Sequence, residues 1–185
     1  VHHILPFEKW RNLYQAQEDP QSPFYGNEYN NAVASHTLYN YYIHPYWDAF
    51  GSPTLYCKIL FVNYDKAYAI IEMFGEWNDC LNNDIMYFRR EVTDLLQDAG
   101  IQFFILLGEH VLDFHGSDET YYEDWLDNLD EGWIKLVNFR KHVLQEMKRS
   151  RITNFLLFNG NFDEAYPWRT LSPDELFQSP LTLEE

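Results

Sequence analysis

The chain has 185 residues, of which 23% are charged and 46% hydrophobic, with eight glycines and eight prolines. That composition excludes collagen-like, mucin-like and disordered classes, and the length fits one domain able to bury a core without disulfide or metal staples. With 29 acidic against 13 basic residues the formal charge is -16, so the mean field repels phosphate backbones and no nucleic-acid partner is expected.

The longest apolar run, Ile101 to Leu107, is far shorter than the roughly 18 residues that span a bilayer, which predicts a soluble chain with no membrane insertion. Cys57 and Cys80 stand in no CxxC spacing and read as thiols of a reducing compartment, hence a cytoplasmic protein, although a single disulfide between them stays open. The residues from Val1 onward carry neither a basic n-region nor an apolar h-region. Aromatic side chains make up 18% of the chain, and an acidic, tyrosine-rich surface suits protein recognition better than phosphate chemistry.

Residues 1–53 read as an aromatic-rich N-terminal extension, 54–158 as the core and 159–185 as a tail packing on it, all within a single domain. In the extension, Trp10, Leu13 and Tyr14 lie at helical spacing and predict a short helix over about Phe7 to Gln17, ended by Asp19-Pro20 and Ser22-Pro23. His36 to Phe50, dense in aromatics and broken by Pro45, reads as a flap over the core edge. Thr54 to Tyr64 and Ala67 to Phe74 are strand-like and predict a hairpin across Asp65-Lys66. Ile85, Phe88, Val92, Leu95 and Leu96 recur at helical spacing up to Gly100, after several cap residues between Trp77 and Asp84. Ile101 to Leu107 reads as a strand covered on both faces.

Ser117-Asp118-Glu119 then caps a helix carrying Tyr121, Tyr122, Trp125, Leu126 and Leu129. Asp130-Glu131-Gly132 interrupts it, and a second helix follows with Trp133, Val137, Leu144 and Met147 on one side. Six basic residues, Lys135, Arg140, Lys141, Lys148, Arg149 and Arg151, concentrate here and read as that helix's solvated face and dipole-compensating last turn. Ile152 to Phe158 is a further apolar strand, and Ser172 with Pro173 opens a short helix to Phe177. This order predicts an α/β fold. Its mixed β-sheet combines an N-terminal antiparallel hairpin with parallel crossovers, and its helices lie mainly on one face.

Three local features resemble the SpoIIAA-like fold of STAS domains over about residues 54–158. They are the strand Ile70-Ile-Glu-Met-Phe-Gly-Glu-Trp77, the helix ending in glycine before an apolar strand (Leu95 to Leu107), and Val111-Leu-Asp-Phe-His-Gly-Ser117 leading into the next helix. In STAS domains the last of these holds an Asp-Ser pair, phosphorylated in some members, that meets a partner kinase. The matching positions here are His115-Gly116-Ser117, without the aspartate, which leaves Ser117 as the one candidate for modification. The resemblance implies a binding or regulatory module without a chemical step.

The densest polar region is Glu109, His110, Asp113, His115, Ser117, Asp118 and Glu119, at a strand end and helix start where open parallel sheets favour ligands. Its carboxylates and imidazoles suit Zn or Mn, but neither HExxH nor a cysteine partner accompanies them, and no cofactor is implied. The discriminating feature is whether His110, Asp113 and His115 converge. In an extended segment Val111, Asp113 and His115 share one side. Ser117 lacks the GxSxG elbow, and neither a Walker loop nor GxGxxG occurs. Of Glu72, Glu76 and Asp79, Glu72 follows strand alternation and the others read as loop and cap. Trp125 and Trp133 are expected in the core, Tyr121 and the Tyr39 to Phe50 flap on the surface.

The binding candidates are therefore Glu76, Trp77, Asp113, His115, Ser117, Asp118 and Tyr121. The function expected is that of a non-enzymatic protein-interaction or regulatory module, with a protein partner or a second copy of the chain. The alternative is a metal-dependent enzyme or small-ligand binder using the acidic and histidine-bearing loop around His115.

Overall fold

A computed structural model describes residues 2–30, 37–160 and 163–180. Of the expected flap, His36 lies outside them, as do residues 161–162 and 181–185 of the tail. Near the N-terminus, β1 (His2–Ile4), β2 (Thr37–Leu38) and β3 (Tyr41–Ile43) form a small sheet in the order β1-β3-β2. The main sheet has β4 (Asp48–Ala49), β5 (Leu55–Asn63), β6 (Tyr68–Asn78), β7 (Phe103–His115), β8 (Trp133–Val137) and β9 (Leu157–Asn159) in that spatial order. β4, β5 and β6 pair antiparallel, and β6 through β9 pair parallel. The protein is therefore mixed α/β, as the order of its elements predicts.

The parallel strands need crossovers, and helices supply them on one face. Asn78 caps α1 (Asp79–Asn82) by accepting from the Leu81 N–H at 2.8 Å. Asn83, in the left-handed region at φ 54°, breaks the chain into α2 (Asp84–Phe88), which runs through a π turn at Arg89–Thr93 into α3 (Asp94–Asp98). Ile85, Phe88, Val92 and Leu96 fall on its inner side and are at most 1% exposed. α4 (Thr120–Asp127) adds Tyr122 and Trp125, and α5 (Lys141–Arg149) adds Val143, Leu144 and Met147. They pack on Cys57, Ile59, Ile71, Met73, Phe104 and Leu106 of the sheet as one cluster, which Ala16, Phe24 and Phe50 from the N-terminal region also join. Each such large side chain, fully buried, stabilises the fold by about 1.5–3 kcal/mol before entropy is counted.

Among the described residues no long helix lies over the opposite face. Tyr68, Ile70, Ile105, Leu107 and Val137 are covered there by Trp10, Trp168 and Leu176, with Phe7 and Phe177 packed alongside. Phe177 belongs to α6 (Pro173–Phe177), whose start is a full capping box of Ser172 with Glu175. Phe74 and Tyr56 on the same face lie under Ile43 and Trp47.

Four expectations are corrected. Phe7 to Gln17 forms turns and a short 3-10 segment, Ala16–Glu18, instead of a helix. Its Phe7 N–H is anchored on the Glu72 carboxylate at 2.8 Å and Phe7 and Trp10 pack on the sheet, while Leu13, which a helix would have buried, is 57% exposed. Trp133 to Val137 is a strand between β7 and β9, because Ile134 and Leu136 pack under the helices and Val137 under the tail. Lys135 accordingly leaves the supposed basic helix face and is 0% exposed. Trp125 is wholly buried and Trp133 packs, mostly buried, against Phe103 and Phe177, as expected of both. Finally, Ile152 to Phe158 begins as a 3-10 turn (Ile152–Phe155) and only Leu157–Asn159 is strand.

Candidate functional site

The polar stretch that the sequence singles out is not a loop: β7 continues through it to His115 and pairs with β6 out to Asn78. Two bulges make this possible, both on β7, between Leu107 and His110 and between Val111 and Asp113. On β6, Gly75 sits at φ +122°, where a Cβ would lie 2.0 Å from the Thr54 carbonyl oxygen, so only glycine carries the strand past this point.

The second bulge decides which side chains meet. It leaves Val111 and Phe114 in the helix-side core, while Glu76 stands opposite Asp113 and Asn78 opposite His115. Val111 therefore does not share a side with Asp113 and His115, as simple alternation would have it. His115 Nε2 lies 3.4 Å from Asp113 Oδ2 and 3.7 Å from Glu76 Oε1. Glu76 also accepts from the Tyr39 hydroxyl at 2.6 Å and from Asn78 Nδ2 at 2.9 Å. Partial burial pushes the Glu76 carboxyl up, but these two donors and the nearby His115 outweigh it and leave it below the ordinary carboxylate range. Bound to that carboxylate and partly desolvated, the Tyr39 phenol is pushed up to about 12.

Beneath this rim the floor is solid. Trp77 and Phe114 are each 1% exposed, so Trp77 is a core residue and not a contact surface. Its indole N–H donates to Asp79 Oδ1 at 2.9 Å, and the same carboxylate accepts from the Ile85 N–H at 2.8 Å and the Tyr122 hydroxyl at 2.5 Å. Burial still pushes the Asp79 carboxyl up to about 6, against those three donors. Beside the rim, Ser117 and Asp118 are exposed, and Asp118 Oδ1 accepts from the Thr120 N–H at 3.0 Å. A Cβ at Gly116 would lie 1.9 Å from Ser150 Oγ, so this loop is pressed against the end of α5. Tyr121 is 38% exposed on α4, its carbonyl held by Arg89 Nη1 at 2.8 Å. Tyr39 and Leu81 nearby are 56% and 82% exposed.

His110 goes elsewhere. The first bulge turns Glu109 and His110 toward the strap-covered face, where His110 Nε2 lies 3.7 Å from Glu72 Oε1. Burial drives the His110 imidazole down to about 4 and the Glu72 carboxyl up to about 7, the latter opposed by the Phe7 N–H and Arg169. Glu109 accepts from Asn138 Nδ2 (2.8 Å), Trp168 Nε1 (2.9 Å) and Arg169 Nη1 (2.5 Å), and so ties β7 to the tail. The sequence groups Glu109 and His110 with the polar stretch of β7 but carries no sign of their partners Glu72, Trp168 and Arg169, beyond the place of Glu72 on an inward position of its strand.

The convergence of His110, Asp113 and His115 that a metal site would need is thus not formed. Among the described residues no three His, Cys, Asp or Glu side chains come together to hold a metal ion. Cys57 is buried and Cys80 exposed, and both are free thiols. Among the same residues no helix is long and apolar enough to cross a membrane.

No protein-family model and no curated protein matches this sequence. Among solved structures the chain is similar to the anti-sigma factor antagonist SpoIIAA in its unphosphorylated form, with a TM-score of 0.45 and 14% identity. The match covers 58% of this chain and 90% of that one. The likeness is remote and lies at the level of the fold.

Proposed function

We propose that the protein is an interaction or regulatory module that docks a protein partner on the rim at the carboxyl end of β6 and β7. The observation that carries this reading is the gathering of Glu76, Asp113 and His115 over a floor filled by Trp77 and Phe114. Such a rim offers a surface in place of a cleft. Ser117, Asp118 and the exposed rings of Tyr39 and Tyr121 extend it, and an exposed tyrosine gives a large contact at low entropic cost. The partner segment this surface fits carries lysine or arginine beside an apolar side chain. A polyanion does not fit it, given the charge of -16. We read the exposed thiol of Cys80 as in keeping with a cytoplasmic setting.

The test places a photo-crosslinking phenylalanine analogue at Tyr39 or Tyr121 of the full chain. The same partner is expected from both positions, and its capture is expected to fall on Glu76→Lys with Asp113→Lys. Capture unchanged by those reversals would overturn the reading. A saturable rise in melting temperature with Zn, Mn, Mg or Ca, lost on His115→Ala, would replace it with a metal-dependent one.

A further inference from the structure

A groove of about 520 Å³ opens between the end of α4 and the end of α5, and none of the rim residues lines it. Its walls differ in chemistry. The end of α4 and the start of β8 supply an apolar wall of Leu126, Gly132 and Trp133, which Phe155 and Leu157 extend. The last turn of α5 and the 3-10 turn after it supply Lys148, Thr153 and Asn154. A concavity of about 300–1,000 Å³ with apolar walls and a few polar groups gathered on one side has the size and layout that hold a small molecule by one end. The apolar wall is also fixed in advance. Around the Trp133 ring pack the Lys135 ammonium at 4.9 Å and the rings of Phe103 and Phe177 at 5.2 and 5.6 Å. A wall already in place loses little of its contact energy to ordering when a ligand arrives.

Charge narrows the ligand. Lys148 is the one ionisable residue among the described ones that lines the groove. Its ammonium, the Thr153 hydroxyl and the Asn154 amide have no protein partner among the described residues, whereas the neighbouring Arg149 is paired with Glu146 at 3.1 Å. The α4 side carries exposed Asp127, Asp130 and Glu131, so the anionic end of a ligand is drawn to Lys148 and away from that edge. A single ammonium matches a single carboxylate, whereas a phosphate brings a second charge near those acids. The rings of Trp133 and Phe155 favour an aromatic body, because a rigid ring meets them edge to face and gives up less freedom than an alkyl chain.

We propose that the groove binds a small aryl carboxylate, with its ring against Leu126, Trp133 and Phe155 and its carboxylate on Lys148, where Thr153 and Asn154 add hydrogen-bond donors. The protein then carries a small-molecule site apart from its docking rim. Glu76 and Asp113 lie outside the groove, so the two readings fail separately.

The test titrates the isotope-labelled full chain, followed by heteronuclear NMR, with phenylacetate, naphthylacetate and the two matching primary amides. Saturable shifts are expected at Gly132, the Trp133 indole, Thr153 and Asn154, with the naphthyl acid about tenfold tighter than the phenyl acid. Each acid should bind about tenfold tighter than its amide, and Lys148→Met should erase that preference while leaving amide binding unchanged. Glu76→Lys with Asp113→Lys should change neither. No saturable shift below about 10 mM ligand, shifts centred away from the groove, equal binding of acid and amide, or an acid preference that survives Lys148→Met would each overturn the proposal. So would groove signals that shift with protein concentration in the absence of any ligand, since a second copy of the chain would then fill the site.

Discussion

The two faces of the main sheet are sealed in different ways. The helix face is closed by regular, amphipathic elements whose inward positions recur every three or four residues. The other face is closed by irregular straps from both ends of the chain, and each strap is fixed by a polar anchor, buried at Glu72 and Lys135 and half-buried at Glu109. Glu72 holds the Phe7 N–H, Glu109 holds Trp168 and Arg169, and Lys135 holds the end of α6. Repetition stabilises one face and specific pairing the other. The helix face does contain comparable polar knots, at Arg89 and at Asp79, and the contrast can be attacked first at Asp79.

Asp79→Ala is expected to have the largest effect. It strands the Trp77 indole, the Tyr122 hydroxyl and the Ile85 amide without their acceptor, all inside the core. Unpaired buried donors cost about 1–3 kcal/mol each, so a loss of about 4 kcal/mol, enough to unfold many domains of this size, is expected in urea denaturation. Asp79→Asn keeps a carbonyl acceptor and should lose less than half as much. Equal losses for the two variants would show that the carboxylate, not the acceptor geometry, carries the knot.

On the strap face, Lys135 Nζ donates to the Leu176 carbonyl (3.2 Å), the Ser179 carbonyl (3.4 Å) and Ser179 Oγ (2.9 Å). Burial lowers its ammonium to about 8. Lys135→Met fills the same volume but leaves those acceptors unmet, and a cost of about 2 kcal/mol is expected. The sharper readout is local. Hydrogen exchange should quicken over 173–179 while the amides of α2 through α5 keep their protection. Uniform quickening over both faces would mean that the straps and helices unfold as one unit.

The same contrast explains what was legible in the sequence. The hairpin, the helix carrying Ile85 to Leu96 and the helix start at Ser172-Pro173 are readable because spacing and caps are local signals, while the Glu175 half of that capping box is not read from them. β8 was not, because a strand buried on both faces has no alternation and Lys135 made it look like a solvated helix turn. The rim was half legible. Glu76, Asp113 and His115 do meet, but a bulge is one inserted residue, and nothing in Val111 to His115 announces it. That single residue separates Val111 from Asp113, and the first bulge sends His110 to the opposite face. Trp77 has the composition of a contact residue, and only the Asp79 and Tyr122 bonds around it show why it is buried.

The smallest and most diagnostic effect concerns Glu72 and His110. Folding raises the Glu72 carboxyl to about 7 and lowers the His110 imidazole to about 4, against unfolded values of about 4.3 and 6.5. Taken alone, Glu72 contributes stability that is fully present below about pH 4.3 and is lost as pH rises to about 7. Taken alone, His110 contributes stability present above about pH 6.5 and lost as pH falls to about 4. Between these limits the unfolded chain keeps its proton on the histidine and the folded chain keeps it on the glutamate, so the number bound does not change. The pair should therefore add almost no pH dependence between about pH 4.5 and 6.5, and removing either member should unmask the other. Glu72→Gln, whose amide oxygen still accepts the Phe7 N–H, is expected to lose about 1 kcal/mol per pH unit as the solution is acidified through that window. His110→Ala is expected to lose a similar amount per unit as it is made more basic. Parallel profiles for the two variants in urea denaturation would show that the straps are not held by a neutral pair.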